Sequence, residues 1–157
     1  MANLILWRHA DAKVESASGK DSDRELTKSG RKDAAKMAQW LNQYLPADTV
    51  VFSSPARRCL QTAVALSDLR QVDIKVAEFL SIESTVERIA QEITTADSSE
   101  TILIVGHQPN LGLLLAKLLG INDSACVVKK GAVWWLRQRF VDGLAQHYIY
   151  AVQQPEY

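Results

Sequence analysis

The sequence predicts an α/β fold, a three-layer α/β/α sandwich in which helices cover both faces of a mostly parallel sheet. The first observation is that apolar runs of strand length alternate along the chain with segments whose apolar residues recur at helical spacing. The second is the run Thr-Ile-Leu-Ile-Val at 101–105, whose continuous apolar character is typical of a central strand buried on both faces. Such alternation favours parallel strands joined by helical crossovers.

The length and composition are typical of one globular domain, which we take to span residues 1–157. Apolar residues make up 47% of the chain and charged residues 23%, as in folded rather than disordered proteins. Neither an internal repeat nor a low-complexity linker interrupts the sequence. The 18 basic and 18 acidic residues balance, which argues against a nucleic-acid partner.

The sequence contains no signal for a membrane, a disulfide or a metal. No apolar stretch approaches the length of a membrane span, so we expect no membrane partner and a cytoplasmic location. Cys59 and Cys126 lie far apart without the spacing of a zinc site or a redox pair, which predicts two reduced thiols. The three histidines lack an ordered set of carboxylates, so we expect no metal.

The first predicted strand and helix flank a long loop. Residues 4–7 are apolar and predict a buried strand, whereas residues 13–24 are rich in Ser, Asp and Lys and predict a loop. A helix follows, with Thr27 as its N-cap and Pro46 as the residue that stops it.

The middle of the chain repeats the strand–helix order twice. Residues 49–52 predict the second strand, and Pro55 suits the first position of the next helix with Ser54 as its cap. Residues 74–77 predict a third strand, and a helix is expected over 85–93.

The last third begins with the central strand and ends with two further strands. Pro109 is expected to begin an almost entirely apolar helix that closes at Gly120. Residues 132–136 and 147–152 predict strands around a turn at Gly143, and these two strands could pair as a hairpin at one edge of the sheet.

Three of the predicted strands end in chemically functional side chains. Arg8 and His9 follow the first strand, a Ser-Ser-Pro segment and then Arg58 follow the second, and His107 follows the central strand. Because the carboxyl ends of parallel strands meet at one rim of a sheet, we expect these side chains to converge there. Arginine binds phosphate oxygens through a planar fork of donors, and a neutral imidazole is a competent nucleophile. The set therefore predicts a cage for a phosphoryl group.

Each member of this set also has a simpler interpretation when taken alone. An Arg-His pair at a strand end is commonly structural or solvated, and Arg58 could be an exposed helix charge like its neighbour Arg57. His107 could be a hydrogen-bonded, partly buried imidazole. His147 has no chemical companion and is interpreted as an ordinary strand residue. The conjunction at three separate strand ends favours the functional interpretation.

Several segments resemble the histidine phosphatase superfamily, also called phosphoglycerate-mutase-like. Arg-His-Ala at 8–10 resembles its Arg-His-Gly/Ala signature, and the segment 53–63 resembles its second motif, in which Arg58 matches the phosphate-binding arginine. Gly-His-Gln-Pro at 106–109 matches the third motif. The segment 23–27 and the short chain resemble the SixA-type protein phosphohistidine phosphatases most closely.

The resemblance implies a covalent mechanism without a metal or organic cofactor. His9 would attack phosphorus in line and form a phosphohistidine intermediate that water then hydrolyses. Arg8, Arg58 and His107 would bind the phosphoryl oxygens and stabilise their charge. Their cationic neighbourhood should also keep His9 neutral near pH 7.

One departure from the family pattern bears on the substrate. Many relatives place a glutamate general acid two residues after a leucine, and here that position is Ile82, with Glu83 and Glu78 nearby but off register. An alkoxide leaving group needs a proton donor, which contributes roughly 10²–10⁴ in rate. An imidazole that leaves phosphohistidine is much less basic. The departure therefore favours a phosphoramidate substrate, unless Glu83 or Glu78 supplies the proton.

These observations predict a cytoplasmic phosphatase acting on a phosphohistidine-bearing protein, such as a histidine-phosphotransfer domain. The alternatives are a small-molecule phosphomonoesterase of the same superfamily and a non-catalytic phosphate-binding adaptor on the same fold. Lys129, Lys130 and the loop 13–24 are the candidate docking surface.

Overall fold

The computed structural model describes residues 2–95, 100–122 and 126–156. Within these residues, six strands form one sheet and four α-helices pack against it. The strands are β1 Asn3–Arg8, β2 Val50–Ser53, β3 Ile74–Val76, β4 Thr101–Gly106, β5 Val133–Val141 and β6 Leu144–Gln153. The helices are α1 Lys28–Tyr44, α2 Arg57–Ser67, α3 Val86–Thr94 and α4 Asn110–Leu119.

The strand order across the sheet is β3-β2-β4-β1-β5-β6. The first four strands in this order run parallel, whereas β5 pairs antiparallel with β1 and β6 antiparallel with β5. The predicted mostly parallel sheet is confirmed, with the last two strands as a hairpin at one edge. Because β1, β2 and β4 are parallel neighbours, their carboxyl ends lie at the same rim of the sheet.

Helices cover both faces of the sheet, which confirms the predicted sandwich. Side chains of β1 alternate between two cores: Ile5 and Trp7 pack with α1 and α2, whereas Leu4 and Leu6 pack with α3 and α4. All four are 0–1% exposed. A strand that is apolar at every position suits this arrangement, because both of its faces leave water.

Helix α1 begins and ends where the sequence predicts. The Thr27 side chain accepts a hydrogen bond from the Gly30 N–H at 2.9 Å, so Thr27 is the N-cap. The helix ends at Tyr44, before Pro46. A Cβ on Gly30 would collide with the carbonyl oxygen of Asp11, so glycine permits the close approach of the loop after β1.

Helix α2 begins later than predicted, and its cap differs. Its first residue is Arg57 and its N-cap is Ala56, whose side chain cannot cap. The prediction of Pro55 as the first helical residue with Ser54 as its cap is therefore wrong. The Ser54 hydroxyl is used elsewhere, because it lies 2.8 Å from the Nε2 atom of His107. Helix α4 similarly begins one residue late, after Pro109, but closes at Gly120 as expected, with φ of 67°.

The hairpin β5–β6 is longer than the two predicted strands. Its turn consists of Asp142 and Gly143, with φ angles of 51° and 79° in the left-handed region, as a tight hairpin turn requires. The sequence predicts only the inner parts of both strands, because the outer parts are exposed and lack a continuous apolar pattern. In the described ranges, no helix combines the length and apolar character needed to cross a membrane.

Candidate active site

All four predicted site residues lie at the rim formed by the carboxyl ends of β1, β2 and β4. The register pairs Arg8 with Gly106, so β1 and β4 end side by side. The N–H of His9 donates to the Gly106 carbonyl at 3.2 Å, which extends this pairing by one residue. The side chains of His9, Arg58 and His107 are buried, with exposed fractions of 7%, 2% and 3%.

A hydrogen bond of the His9 ring determines which of its two nitrogens carries the proton. Its Nδ1 atom lies 2.8 Å from the carbonyl oxygen of Ala10. A carbonyl oxygen can only accept, so Nδ1 carries the proton and donates it. In the neutral ring the lone pair then resides on Nε2, which is the nitrogen left to act as a nucleophile.

Burial keeps the His9 imidazole neutral. The loss of solvation lowers its pKa to about 4, against the opposing effect of the Ala10 hydrogen bond. The charges of Arg58, Arg8 and Arg24 lower the pKa further. At pH 7 the ring therefore holds the lone pair that an attack on phosphorus needs.

His107 lies against His9, with 5.4 Å between the ring centroids and 61° between the ring planes. Its Nδ1 atom is 3.5 Å from Nη2 of Arg58, and its Nε2 atom is 2.8 Å from the Ser54 hydroxyl. Burial, followed by the charges of His9 and Arg58, lowers the pKa of His107 to about 3. The two imidazoles and one guanidinium thus form a compact cluster.

The guanidinium of Arg58 is held by the loop 13–24. Nη1 donates to the Asp21 carbonyl oxygen at 3.0 Å, and Nη2 donates to the Asp21 carboxylate at 3.1 Å. The other carboxylate oxygen accepts from Nη1 of Arg24 at 2.9 Å. Asp21 therefore bridges two arginines and ties the loop to the site.

Arg8 retains an unpaired donor at the rim. Nη1 donates to the Val128 carbonyl at 3.0 Å, whereas the buried Nε has no hydrogen-bond partner among the described residues. A buried donor without a partner costs about 1–3 kcal/mol, and a phosphoryl oxygen can satisfy it. Arg8 is therefore equipped to bind an anion.

Two aspartates in the loops around the site, Asp11 and Asp21, are ionised because their carboxylates accept hydrogen bonds. Asp11 accepts from the Thr27 hydroxyl at 2.9 Å and from the Lys130 ammonium at 3.1 Å. The Thr27 hydrogen bond is the largest effect lowering the Asp11 pKa. The Arg24 hydrogen bond is the largest effect lowering the Asp21 pKa. Neither carboxyl group is a proton donor near neutral pH.

The glutamates considered as general acids lie outside this hydrogen-bonded cluster. Glu78 begins a short 3₁₀ turn, Glu78–Leu80, and both Glu78 and Glu83 are exposed. Among the contacts of the described residues, neither has a hydrogen bond or ion pair with the four site residues. Ile82, at the position where relatives carry the acid, is 50% exposed.

The third histidine and the two cysteines are not among the predicted site residues. His147 lies on β6, as the strand interpretation predicted. Cys59 and Cys126 are both buried thiols. Cys59 lies behind the site, 3.6 Å from the Nε2 atom of His107, and burial raises its pKa to about 12.

The sequence does not predict two contacts of the site, that of Ser54 with His107 and that of Asp21 with Arg58. The sequence predicts Ser54 as a helix cap, and Asp21 lies in a loop whose composition carries no periodic signal. Both touch the site through partners at least 37 positions away in the sequence. The one available signal was the position of Ser54 directly after a strand that ends at the rim.

A family model describes the first half of the chain. The model of the histidine phosphatase superfamily (branch 1) matches residues 4–81. An uncharacterised Mycobacterium tuberculosis protein is 31% identical over 108 residues, which cover 69% of this chain and 67% of that protein. The phosphohistidine phosphatase SixA of Escherichia coli is 29% identical over 119 residues, which cover 73% of each chain.

Another similar protein is much longer than the region that it shares. An uncharacterised chloroplastic protein of Arabidopsis thaliana is 32% identical over 113 residues, which cover 71% of this chain. The match spans only about half, 51%, of the plant protein.

Solved structures share the fold over nearly the full length. A candidate phosphohistidine phosphatase SixA of Nakamurella multipartitia superposes with a TM-score of 0.81 at 26% identity, covering 98% of this chain and 96% of that chain. The protein histidine phosphatase SixA complexed with tungstate superposes with a TM-score of 0.82 at 23% identity, covering 98% and 97%. Together with the family match, these similarities show that the chain belongs to the histidine phosphatase superfamily, a membership that indicates phosphatase activity.

Proposed function

We propose that this protein is a protein phosphohistidine phosphatase, with His9 as the nucleophile and Arg8, Arg58 and His107 as the residues that bind the phosphoryl group. Its substrate is a phosphohistidine on a signalling or phosphotransfer protein, such as a histidine-phosphotransfer domain. The reaction needs no metal or organic cofactor, because these residues supply the nucleophile and the positive charge.

The first step transfers the phosphoryl group to His9. The lone pair on Nε2 attacks phosphorus in line, a P–N bond forms to His9, and the P–N bond to the substrate histidine breaks. The substrate ring enters with its other nitrogen already protonated, so the departing imidazole keeps the bonding electron pair and is released as a neutral histidine without a further proton. The arginines neutralise the charge on the equatorial oxygens during transfer.

The second step restores the enzyme. Water attacks the phosphorus of the phospho-His9 intermediate, the P–Nε2 bond breaks, and its electron pair returns to the imidazole. Inorganic phosphate leaves with the oxygen of that water. The hydrogen bond from Nδ1 to the Ala10 carbonyl keeps the ring in the same tautomer for the next cycle.

The observation that carries the substrate assignment is the state of the carboxyl groups. Asp11 and Asp21, which hold the loops around the site, both have lowered pKa values and are ionised near pH 7. A sugar ester leaves as an alkoxide and needs a protonated acid, whereas the imidazole of phosphohistidine does not. Such a site suits a phosphoramidate better than an ester. The similarity to SixA phosphohistidine phosphatases supports the same substrate.

The rim also offers charged groups to a protein partner. Lys130 forms an ion pair with Asp11 in the loop after His9, and Lys129 is exposed beside it. Both lysines therefore belong to the surroundings that a phosphohistidine side chain enters. The cytoplasmic location stays a prediction of the sequence.

A comparison of donors tests the proposal. A histidine-phosphotransfer domain labelled with ³²P on histidine should lose its label to the wild-type protein and keep it with His9→Ala. Rapid quenching should trap an acid-labile phosphate on the wild type alone. Fast hydrolysis of sugar phosphates without loss of label from the protein would contradict the assignment.

Two further assays test the alternatives. A phosphomonoesterase that uses Glu83 or Glu78 as its acid should lose ester hydrolysis in Glu83→Gln or Glu78→Gln. A non-catalytic adaptor should bind phosphate but form no phosphoenzyme. We expect neither outcome.

A further inference from the structure

The hydroxyl of Ser54 lies in a fixed position behind the site. Ser54 directly follows β2, and its backbone N–H donates to the Val105 carbonyl of β4 at 3.0 Å. The residue is fully buried, with an exposed fraction of 0%. Its Oγ atom is 2.8 Å from the Nε2 atom of His107, which follows β4. Two neighbouring strands therefore set this contact.

The two ring nitrogens of His107 face different groups. Nε2 faces inward, towards the Ser54 hydroxyl and the Cys59 sulfur at 3.6 Å. Nδ1 is 3.5 Å from Nη2 of Arg58, and because a guanidinium can only donate, Nδ1 is the acceptor in this contact. A neutral imidazole carries one proton, on one nitrogen or the other. The tautomer therefore decides what His107 can offer to a phosphoryl group.

A phosphoryl oxygen accepts hydrogen bonds, so Nδ1 must donate when the substrate is bound. Nε2 then carries a lone pair and needs a donor, which the Ser54 hydroxyl can supply. The Ala56 N–H donates to the same hydroxyl oxygen at 3.3 Å, so it leaves the hydroxyl proton available for His107. A carbonyl or carboxylate at this place would accept only, and would force the proton onto Nε2.

We propose that Ser54 is a positioning residue for His107: its hydroxyl donates to Nε2 and thereby directs the Nδ1 proton to the phosphoryl oxygens during transfer. This inference rests on the proposed function and adds the residue that controls the tautomer of its second histidine. The low pKa of His107 agrees with a ring that carries a single proton. Without substrate, the Arg58 donor on Nδ1 favours the proton on Nε2, and the Ser54 hydroxyl accepts it. When a phosphoryl oxygen accepts from Nδ1 instead, the same hydroxyl rotates and donates to Nε2.

The tautomer can be measured on the wild-type protein. Inorganic phosphate serves as the probe, and ¹⁵N NMR of the histidine rings reports which nitrogen of His107 carries the proton. We expect protonated Nδ1 and bare Nε2 in the phosphate complex at pH 7. A proton on Nε2, whether on that nitrogen alone or on both, would overturn the proposal. This measurement does not depend on the stability of any variant.

Variants at position 54 test the consequence for transfer. Ser54→Ala removes the donor, and we expect the single-turnover rate of phosphoenzyme formation to fall about 10- to 100-fold, as for other partners that orient a functional histidine. The effect should be on kcat with little change in KM, since an oriented donor acts most strongly on the geometry of the transition state. Ser54→Thr keeps the hydroxyl and should restore the rate to within about threefold of wild type.

Ser53→Ala is the matched control. Ser53 is also fully buried at the end of β2, but its hydroxyl donates to the Ser54 carbonyl at 2.9 Å rather than to His107. We expect its rate to stay within about twofold of wild type. A wild-type rate in Ser54→Ala, or a Ser54→Thr protein as slow as Ser54→Ala, would refute the role of the hydroxyl.

Different outcomes of these experiments would contradict the role of Ser54 and the proposed function. If the wild type hydrolyses sugar phosphates but not a phosphohistidine peptide, the substrate assignment fails, and the Ser54 series is then measured with the ester. If the wild type is active on the peptide and Ser54→Ala matches it, only the role of Ser54 fails.

Discussion

His9 and Arg58 illustrate how single residues acquire chemistry from their surroundings. The Ala10 carbonyl sets the tautomer of His9, and burial sets its protonation state. The Arg58 guanidinium is 2% exposed. Its Nη1 and Nη2 atoms donate to Asp21, and Nη2 also lies 3.5 Å from Nδ1 of His107. A planar fork of five donors can make these contacts and still present N–H groups to a phosphoryl oxygen.

Replacing Arg58 by lysine should therefore slow phosphoryl transfer even though the positive charge is kept. Lysine keeps the charge but not the fork, and cannot hold Asp21 and a phosphoryl oxygen in the same geometry. We expect Arg58→Lys to slow phosphoenzyme formation by about 100-fold, the size of effect seen when one preorganised donor to a transition state is lost. Rapid-quench single-turnover assays give this rate.

Arg57→Lys is the control for that substitution. Arg57 is the preceding residue of α2, half exposed, with an ion-pair distance of 3.9 Å to Glu25. Exposed pairs of this kind contribute about 0–1 kcal/mol, so we expect a rate near that of wild type. An equal loss in both variants would contradict a specific role for the fork of Arg58.

At the scale of elements, the start of α1 connects the nucleophile loop to the helical layer. The Thr27 hydroxyl accepts from the Gly30 N–H and donates to the Asp11 carboxylate at 2.9 Å. The Thr27 N–H donates to the Asp11 carbonyl at 3.0 Å. One side chain thus caps the helix and fixes the segment that follows His9.

Thr27→Ala should lower the free energy of unfolding by about 1–2 kcal/mol, the upper part of the range for lost N-caps, because a second hydrogen bond is lost as well. Urea unfolding should show a lower midpoint with an unchanged m-value. Thr85→Ala provides the comparison, since Thr85 caps α3 through one exposed hydrogen bond to the Arg88 N–H at 3.2 Å. Greater destabilisation by Thr85→Ala than by Thr27→Ala would contradict a contribution from the second hydrogen bond of Thr27.

At the scale of the whole molecule, the site makes stability depend on pH. The pKa values of His9 and His107 in the folded protein are about 4 and about 3, below the ordinary 6.5. Well above pH 6.5 both rings are neutral whether the chain is folded or unfolded. As pH falls below 6.5, the unfolded chain binds protons that the folded chain does not, so the free energy of unfolding decreases.

Between pH 7 and pH 5 we expect each imidazole to reduce the free energy of unfolding by about 1–2 kcal/mol. The double variant His9→Asn/His107→Asn should therefore lose less stability over this interval than wild type, by about 2–4 kcal/mol. Urea titrations at both pH values measure the difference. His147→Asn is the control, because His147 is less buried and should change the slope less. Equal slopes in wild type and the double variant would contradict the burial argument.

The sequence determined much of the fold because its signals are local. The apolar runs of β1 and β4, the cap at Thr27, the stop at Pro46 and the close at Gly120 each depend on neighbouring residues, and the structure confirms each of them. The start of α2 differs from the prediction for the opposite reason. The Ser54 hydroxyl that should have capped it is bound to His107, 53 positions away.

The sequence by itself also determined which four side chains reach the rim, since parallel strands bring their carboxyl ends together whatever the details of packing. Only the tertiary structure decided how those side chains are held. The His9 tautomer, the Asp21 bridge to Arg58 and the Ser54 contact with His107 all depend on hydrogen-bond geometry in space. Burial, which keeps both imidazoles neutral, likewise exists only once the helices and strands have packed around them.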